Sequence, residues 1–128
     1  MDARGWTVMK IYTSYFAALK KIPEDMVPIA ICAKPPDFFK GPNYKILAPS
    51  YSILMDYKKD NDKEKYIKRY NEEILGHLKP EDIIKNLGIL SRGKDIVLLC
   101  YEKPNDFCHR HLVSKWLGDI QEVTELVF

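Results

Sequence analysis

The chain has 128 residues, 46% of them apolar and 30% charged, with 20 basic against 18 acidic side chains and a net charge of +2. That length predicts one domain burying about two-thirds of its unfolded surface, and the near-balance of charge argues against a general polyanion binder. No apolar run approaches the roughly 20 residues that span a bilayer, and Met1-Asp2-Ala3-Arg4-Gly5 is followed by no apolar signal core, so a cytoplasmic protein without a membrane partner is expected. Three cysteines, one necessarily odd, fit reduced thiols better than a disulfide framework.

In chain order, Val8 to Thr13 reads as a first strand, rich in β-branched and aromatic residues. Tyr15 to Lys21 predicts a brief helix closed by Pro23. Val27 to Ala33 is continuously apolar, as a strand covered on both faces would be, with Pro28 confined to its start. From Lys34 to Pro49 the chain turns proline-rich and reads as a long loop with a helical turn at Asp37 to Lys40. Ser50 then caps a helix carrying Ile53, Leu54 and Tyr57, and Asp62 caps the next, with Tyr66, Ile67, Tyr70, Ile74 and Leu78 at spacings of three or four. Pro80 opens another helix that buries Ile83, Ile84, Leu87 and Leu90 and stops at Gly93. Asp95 to Glu102 is the central strand, Asp106 to Leu117 the helix after it, and Gln121 to Phe128 the last strand.

Strands separated by helices imply a mainly parallel sheet with right-handed crossovers, hence an α/β fold of three layers with the sheet flanked by helices. In such folds ligands bind beyond the carboxyl ends of the strands. Thr13, Lys34 and Cys100 to Glu102 are expected there.

The junction Leu98-Leu99-Cys100-Tyr101-Glu102-Lys103-Pro104-Asn105-Asp106-Phe107-Cys108-His109-Arg110 concentrates reactive side chains where a strand gives way to a helix. With Asn105 or Asp106 as cap, Cys108 and His109 fall in the first helical turn, where free N–H groups and the helix dipole favour anions and lower a thiol pKa. Arg110 offers a planar fork for phosphate or carboxylate. Cys108 is thus either a nucleophile or a helix-packing thiol, four residues from Leu112 and eight from Trp116. On a strand, Cys100 and Glu102 share one face and Tyr101 the other. Glu102 is either a general base orienting His109 or the structural ion-pair partner of Arg110, and in both cases lies near Arg110. Adjacent helical residues diverge by about 100°, so Cys108 and His109 are not expected to face each other; Cys100 with His109 is the better thiol–imidazole pair.

Cys100, Glu102, Cys108 and His109 have ligand types suited to zinc, but the spacing fits no C-x-x-C knuckle, so neither metal nor cofactor is assigned. No G-x-G-x-x-G or Walker A loop occurs. Lys34, Lys40 and Lys45 interleave with Phe38, Phe39 and Tyr44, which suits either a single-stranded nucleic-acid cradle or, as favoured here, a lid packing on the sheet edge. Asp56 to Arg69 mixes both charges and reads as a solvated helical face.

The Leu98-Leu99-Cys100-Tyr101-Glu102-Lys103 strand followed by Cys108-His109-Arg110 resembles the C-x-E…C-H-R signature of the domain-of-unknown-function family numbered 488. Lys10-Ile11-Tyr12-Thr13-Ser14 is similar to that family's opening strand, and Tyr66 to Leu90 to its helical middle. The family's Gly-His-Ser after the first strand is replaced by Ser14-Tyr15-Phe16, and Ile31-Cys32-Ala33-Lys34 stands where many members carry Asp-Val-Arg. The resemblance implies a fold and a site and names no reaction. The functional expectation is a small domain binding or acting on an anionic, nucleotide-like ligand. Glu102, Cys108 and His109 would be the catalytic groups, with Lys34, Cys100, Arg110 and Thr13 binding the ligand. A nucleic-acid module and a non-catalytic structural domain are the alternatives, and the oligomeric state is left open.

Overall fold

Ile96-Val97-Leu98-Leu99-Cys100 is apolar at every position, as a strand must be when both its faces are covered and both its edges paired. The computed structural model describes residues 9–128 and gives that segment an interior place in a four-stranded, all-parallel sheet of order β2-β3-β1-β4. The strands are β1 (Ile11–Tyr15), β2 (Val27–Ala30), β3 (Ile96–Cys100) and β4 (Val123–Glu125). The helices are α1 (Tyr51–Asp60), α2 (Lys63–Glu73), α3 (Pro80–Ser91) and α4 (His109–Leu117). Val8, the expected start of the first strand, lies outside the described residues. No helix among the described residues is long and apolar enough to cross a membrane.

The handedness rule accounts for the layering. The β2→β3 and β3→β4 connections run the same way across the sheet, so right-handed crossovers place both on one face; β1→β2 runs the opposite way and is placed on the other. The packing agrees. Ile11, Ile29, Ile96 and Leu98 share a core with Ile53, Tyr70, Ile83, Leu87, Val113 and Leu117 of the four α-helices. The alternate strand residues Ala30, Val97 and Leu99 pack instead with Phe16, Leu19, Ile22 and Phe39. This second covering layer is thinner than the helix expected at Tyr15 to Lys21. Phe16–Lys21 is a 3-10 helix with Ile22 as its C-cap, and the large apolar side chains that pack on the sheet, Phe16, Leu19 and Ile22, recur every third position, the period of that helix.

Pro28 is tolerated because β2 is an edge strand. The Val27 and Ile31 amides donate to the carbonyls of Asp95, just before β3, and of Leu99 within it (2.8 and 3.1 Å), whereas the Ala30 amide points outward to Pro42 at 2.9 Å. Pro28 is in phase with Ala30, so its missing donor faces away from the ladder. The Lys34–Pro49 segment thereby gains an attachment to the sheet, completed by Tyr44 N–H donating to the Ala30 carbonyl at 2.7 Å. The expected helical turn at Asp37 to Lys40 is one hydrogen-bonded turn, Phe39 N–H to Pro36. The helical conformation in this segment falls instead at Lys45–Leu47.

Ser50 and Asp62 cap α1 and α2 through the Ile53 and Lys65 amides, and Pro80 occupies the first turn of α3. Arg92 and Gly93 both take positive φ at the end of α3, and the Gly93 amide returns to the Gly88 carbonyl at 2.9 Å. Leu90, expected in the core, is exposed, because the buried stripe of α3 runs Ile83, Leu87, Ser91 at every fourth residue. Arg69 pairs with Asp56 and Glu73 at 2.7 Å each, so the mixed charges of α1 and α2 do form a solvated ion-pair face. Tyr70 of α2 is fully buried and its hydroxyl donates to the Leu47 carbonyl at 2.6 Å, anchoring the end of the long loop.

A buried cation spans the sheet beneath α4. Arg110 is wholly inaccessible. Its Nε and Nη2 donate to the two carboxylate oxygens of Glu125 at 3.2 and 2.9 Å, and its Nη1 to the Glu102 carbonyl at 2.7 Å and Cys100 Sγ at 3.1 Å. Thr13 on β1, between β3 and β4, donates its hydroxyl to the same Glu125 carboxylate. Burial alone would raise the Glu125 pKa, but the hydrogen bonds from Arg110 and Thr13 prevail and hold it below the usual carboxylate range.

Two outcomes follow for unfolding experiments. Glu125→Ala leaves the Arg110 charge buried without its carboxylate and should cost about 3 kcal/mol at neutral pH, the lower end for a buried pair because the carboxylate keeps some contact with water. Since the folded-state pKa is depressed, the stabilisation is complete above the unfolded value of about 4.3 and is lost as pH falls through the folded one. The gap in urea midpoint between wild type and variant should therefore narrow on acidification, and a gap constant down to pH 3 would contradict the assignment. Tyr70→Phe strands the buried Leu47 carbonyl and should lower stability by about 1–2 kcal/mol with an unchanged denaturant slope.

Candidate functional site

β3 ends at Cys100, so the alternation expected to separate Tyr101 from its neighbours stops there. Tyr101 and Glu102 bend over the strand end, and the chain reverses through a turn in which the Asp106 amide donates to the Lys103 carbonyl at 3.0 Å. Cys100, Tyr101 and Glu102 consequently all line one cleft of about 630 Å³. It opens at the carboxyl ends of β2 and β3, the place where open α/β sheets take their ligands.

One wall is aromatic. Tyr57 of α1, Tyr66 of α2 and Phe107 pack mutually with ring centroids 4.9–5.5 Å apart. The spacing of the two tyrosines reads equally well as core, which is why the sequence did not single them out. The opposite rim is the segment after β2. Asn43 clamps it by bonding both backbone groups of Cys32, and the Tyr101 hydroxyl donates to the Lys34 carbonyl, tying the two strand ends together. Lys34, Lys58, Glu102 and Asp106 supply the cleft with two cations and two carboxyl groups. Burial raises the Glu102 pKa, opposed by the charge of Arg110. In the Lys34–Lys45 loop, Phe39 is buried against Phe16 and the Tyr44 hydroxyl accepts a bond from Asn86, leaving Phe38 as the exposed ring.

The helix begins later than expected. Its N-cap is Cys108 and not Asn105 or Asp106, with extended backbone and no side-chain cap bond, and α4 starts at His109. This reverses the expectation that Cys108 and His109 face apart. The 100° divergence applies within a helix, and Cys108 stands outside one, so its Sγ lies 3.9 Å from His109 Nδ1. The expectation of reduced thiols is also corrected. The turn returns Cys108 to the end of β3, where it forms a disulfide with Cys100 (S–S 2.00 Å, eight residues apart), so neither sulfur is a free nucleophile in this state. The free cysteine, Cys32, has its thiol pushed up to about 11, chiefly by burial, and is poorly suited to nucleophilic work at neutral pH.

His109 is buried, and burial pushes its imidazole down to about 4, against the backbone bond to Ile31. Its Nε2 donates to the Ile31 carbonyl at 2.5 Å, which leaves Nδ1 as the lone-pair nitrogen facing the sulfurs.

Of the residues expected at the site, Lys34, Cys100, Glu102, Cys108 and His109 therefore meet in one cleft. Thr13 and Arg110 do not line it. They are buried under α4 and bonded to Glu125, 15 residues beyond Arg110 in sequence, a partner that no local motif announced. Arg110 does approach Glu102, through the carbonyl; its ion pair is with Glu125 and not with the Glu102 carboxylate.

Comparison with curated proteins and with solved structures gives no significant match. The family comparison is positive: the model DUF488-N3a, described as the active DUF488-N3 subclade, matches residues 18–121 and so takes in the cleft, the disulfide pair and α4. The chain belongs to the DUF488 family, within its N3a branch.

Proposed function

We propose that the cleft at the ends of β2 and β3 binds and acts on a mononucleotide-like ligand. The observation that carries this reading is the pairing of an aromatic wall with both signs of charge in a space of about 630 Å³, the size of small-molecule sites. A bare anion would satisfy Lys34 and Lys58 and leave Glu102 and Asp106 beside it unpaired. A nucleotide offers a phosphate for the lysines, hydroxyl and amine donors for the carboxyl groups, and a flat base for Tyr57 and Phe107. The absence of a Gly-rich phosphate loop from the sequence fits side-chain recognition of the phosphate in place of a backbone cradle. The description of the matching branch as active favours an enzyme over a purely structural domain.

The test is calorimetric titration of the protein with AMP, adenosine and inorganic phosphate. AMP should bind saturably and more tightly than either fragment, since each satisfies only part of the cleft. Lys34→Ala combined with Lys58→Ala should weaken AMP by about tenfold or more, equivalent to about 1.4 kcal/mol. Glu102→Gln should reduce adenosine affinity while leaving phosphate unchanged. Absence of saturable binding by AMP, or affinity undiminished in the double variant, would overturn the reading.

A further inference from the structure

Cys100, Cys108 and His109 present one ligand atom each, all buried and all within 4.8 Å of one another. We propose that, once the Cys100–Cys108 bond is reduced, these three residues form a zinc site that opens into the cleft. The site is independent of which molecule the cleft takes.

Four observations support the assignment. Two ligands on one tetrahedral zinc, at about 2.3 Å for sulfur and about 2.0 Å for nitrogen, stand about 3.5–3.8 Å apart. Cys108 Sγ and His109 Nδ1 are already separated by 3.9 Å. The Cα atoms of Cys100 and Cys108 are 7.4 Å apart, beyond the roughly 4.4–6.8 Å usual for a disulfide, so the backbone leaves room for an ion between the sulfurs. His109 has the second bond that metal-binding imidazoles need: the Ile31 carbonyl can only accept, so Nε2 carries the proton and Nδ1 offers the lone pair. Finally, Arg110 Nη1 donates to Cys100 Sγ at 3.1 Å and thus supports a thiolate there.

The ligand set selects the ion. Two thiolates and an imidazole suit zinc and reject magnesium and calcium, which prefer oxygen. Three protein ligands leave a fourth position for water or a ligand donor, as in catalytic and not structural zinc centres. A dithiol passes two electrons and two protons to the S–S bond and becomes a disulfide itself, giving two thiols; Zn²⁺ then displaces both thiol protons to solvent.

The experiment uses the full chain, reduced with a phosphine and titrated anaerobically with Co²⁺ as a spectroscopic stand-in and then with Zn²⁺. One equivalent of Co²⁺ should produce a thiolate-to-metal charge-transfer band and the intense visible bands of tetrahedral coordination. One equivalent of Zn²⁺ should abolish them, and the oxidised protein should show neither. Cys108→Ser should weaken binding by about 100-fold or more, at least as much as losing an outer partner costs, whereas Cys32→Ser should bind unchanged. If Cys108→Ser fails to fold, the comparison of reduced with oxidised wild type decides. Reduced protein with all three thiols titratable but no charge-transfer band, or binding that requires Cys32, would overturn the proposal.

Discussion

The buried guanidinium of Arg110 is the constraint on which the site end of the molecule depends. A cation removed from water must find acceptors for every face of its fork, or the fold loses several kcal/mol. Here those acceptors come from both strands flanking β1: the Glu125 carboxylate on β4, and the sulfur and carbonyl at the end of β3. Satisfying one side chain therefore fixes the lateral position of β4, the height of the Cys100–Glu102 segment and the rotation of α4 about its axis. Arg110 is the second residue of α4, so the same requirement pins Cys108 and His109 above the strand end. What looks in sequence like an anion clamp next to a nucleophile is a structural bolt next to a site.

That division of labour follows from the pleat and the helical period together. Cys100, Thr13 and Glu125 lie on the helix-covered face of the sheet, where Arg110 reaches them. His109, one residue earlier on α4, turns toward β2 and finds the Ile31 carbonyl. Two consecutive side chains thus serve opposite edges of β3, one closing the core and the other facing the cleft.

Much of this was legible in the sequence. The apolar runs at Val27 to Ala33 and Ile96 to Cys100, separated by capped helices, point to a parallel sheet, because helical crossovers between strands cover both faces of such a sheet. The concentration of chemistry at the last strand-to-helix junction was equally plain. The Glu125 partnership was not, because a three-residue edge strand carries too little periodicity to say which of its side chains points inward. Asn105 and Asp106 are good caps by propensity and so predict an earlier helix start, but the demands of Cys100 and Arg110 on the intervening turn outweigh that preference. Three residues of boundary decide whether Cys108 and His109 diverge or meet.

The end of β1 and the 3-10 helix after it support the cleft from the second face of the sheet. Ser14 and Tyr15 close β1, and Phe16 opens the 3-10 helix that follows it. Phe16 is buried with its ring 5.4 Å from Phe39 and 5.0 Å from Tyr101. Tyr101 in turn holds the Lys34 carbonyl through its hydroxyl. Phe16 thus supports the rim of the cleft by packing, through an aromatic chain that runs from the 3-10 helix to the segment after β2, and contributes no polar group of its own. The imidazole that lines the cleft comes from His109 on α4. Any proton-accepting or metal-binding work by an imidazole in this cleft therefore rests on a residue whose orientation is fixed by the Ile31 carbonyl on one side and by the buried Arg110 on the other.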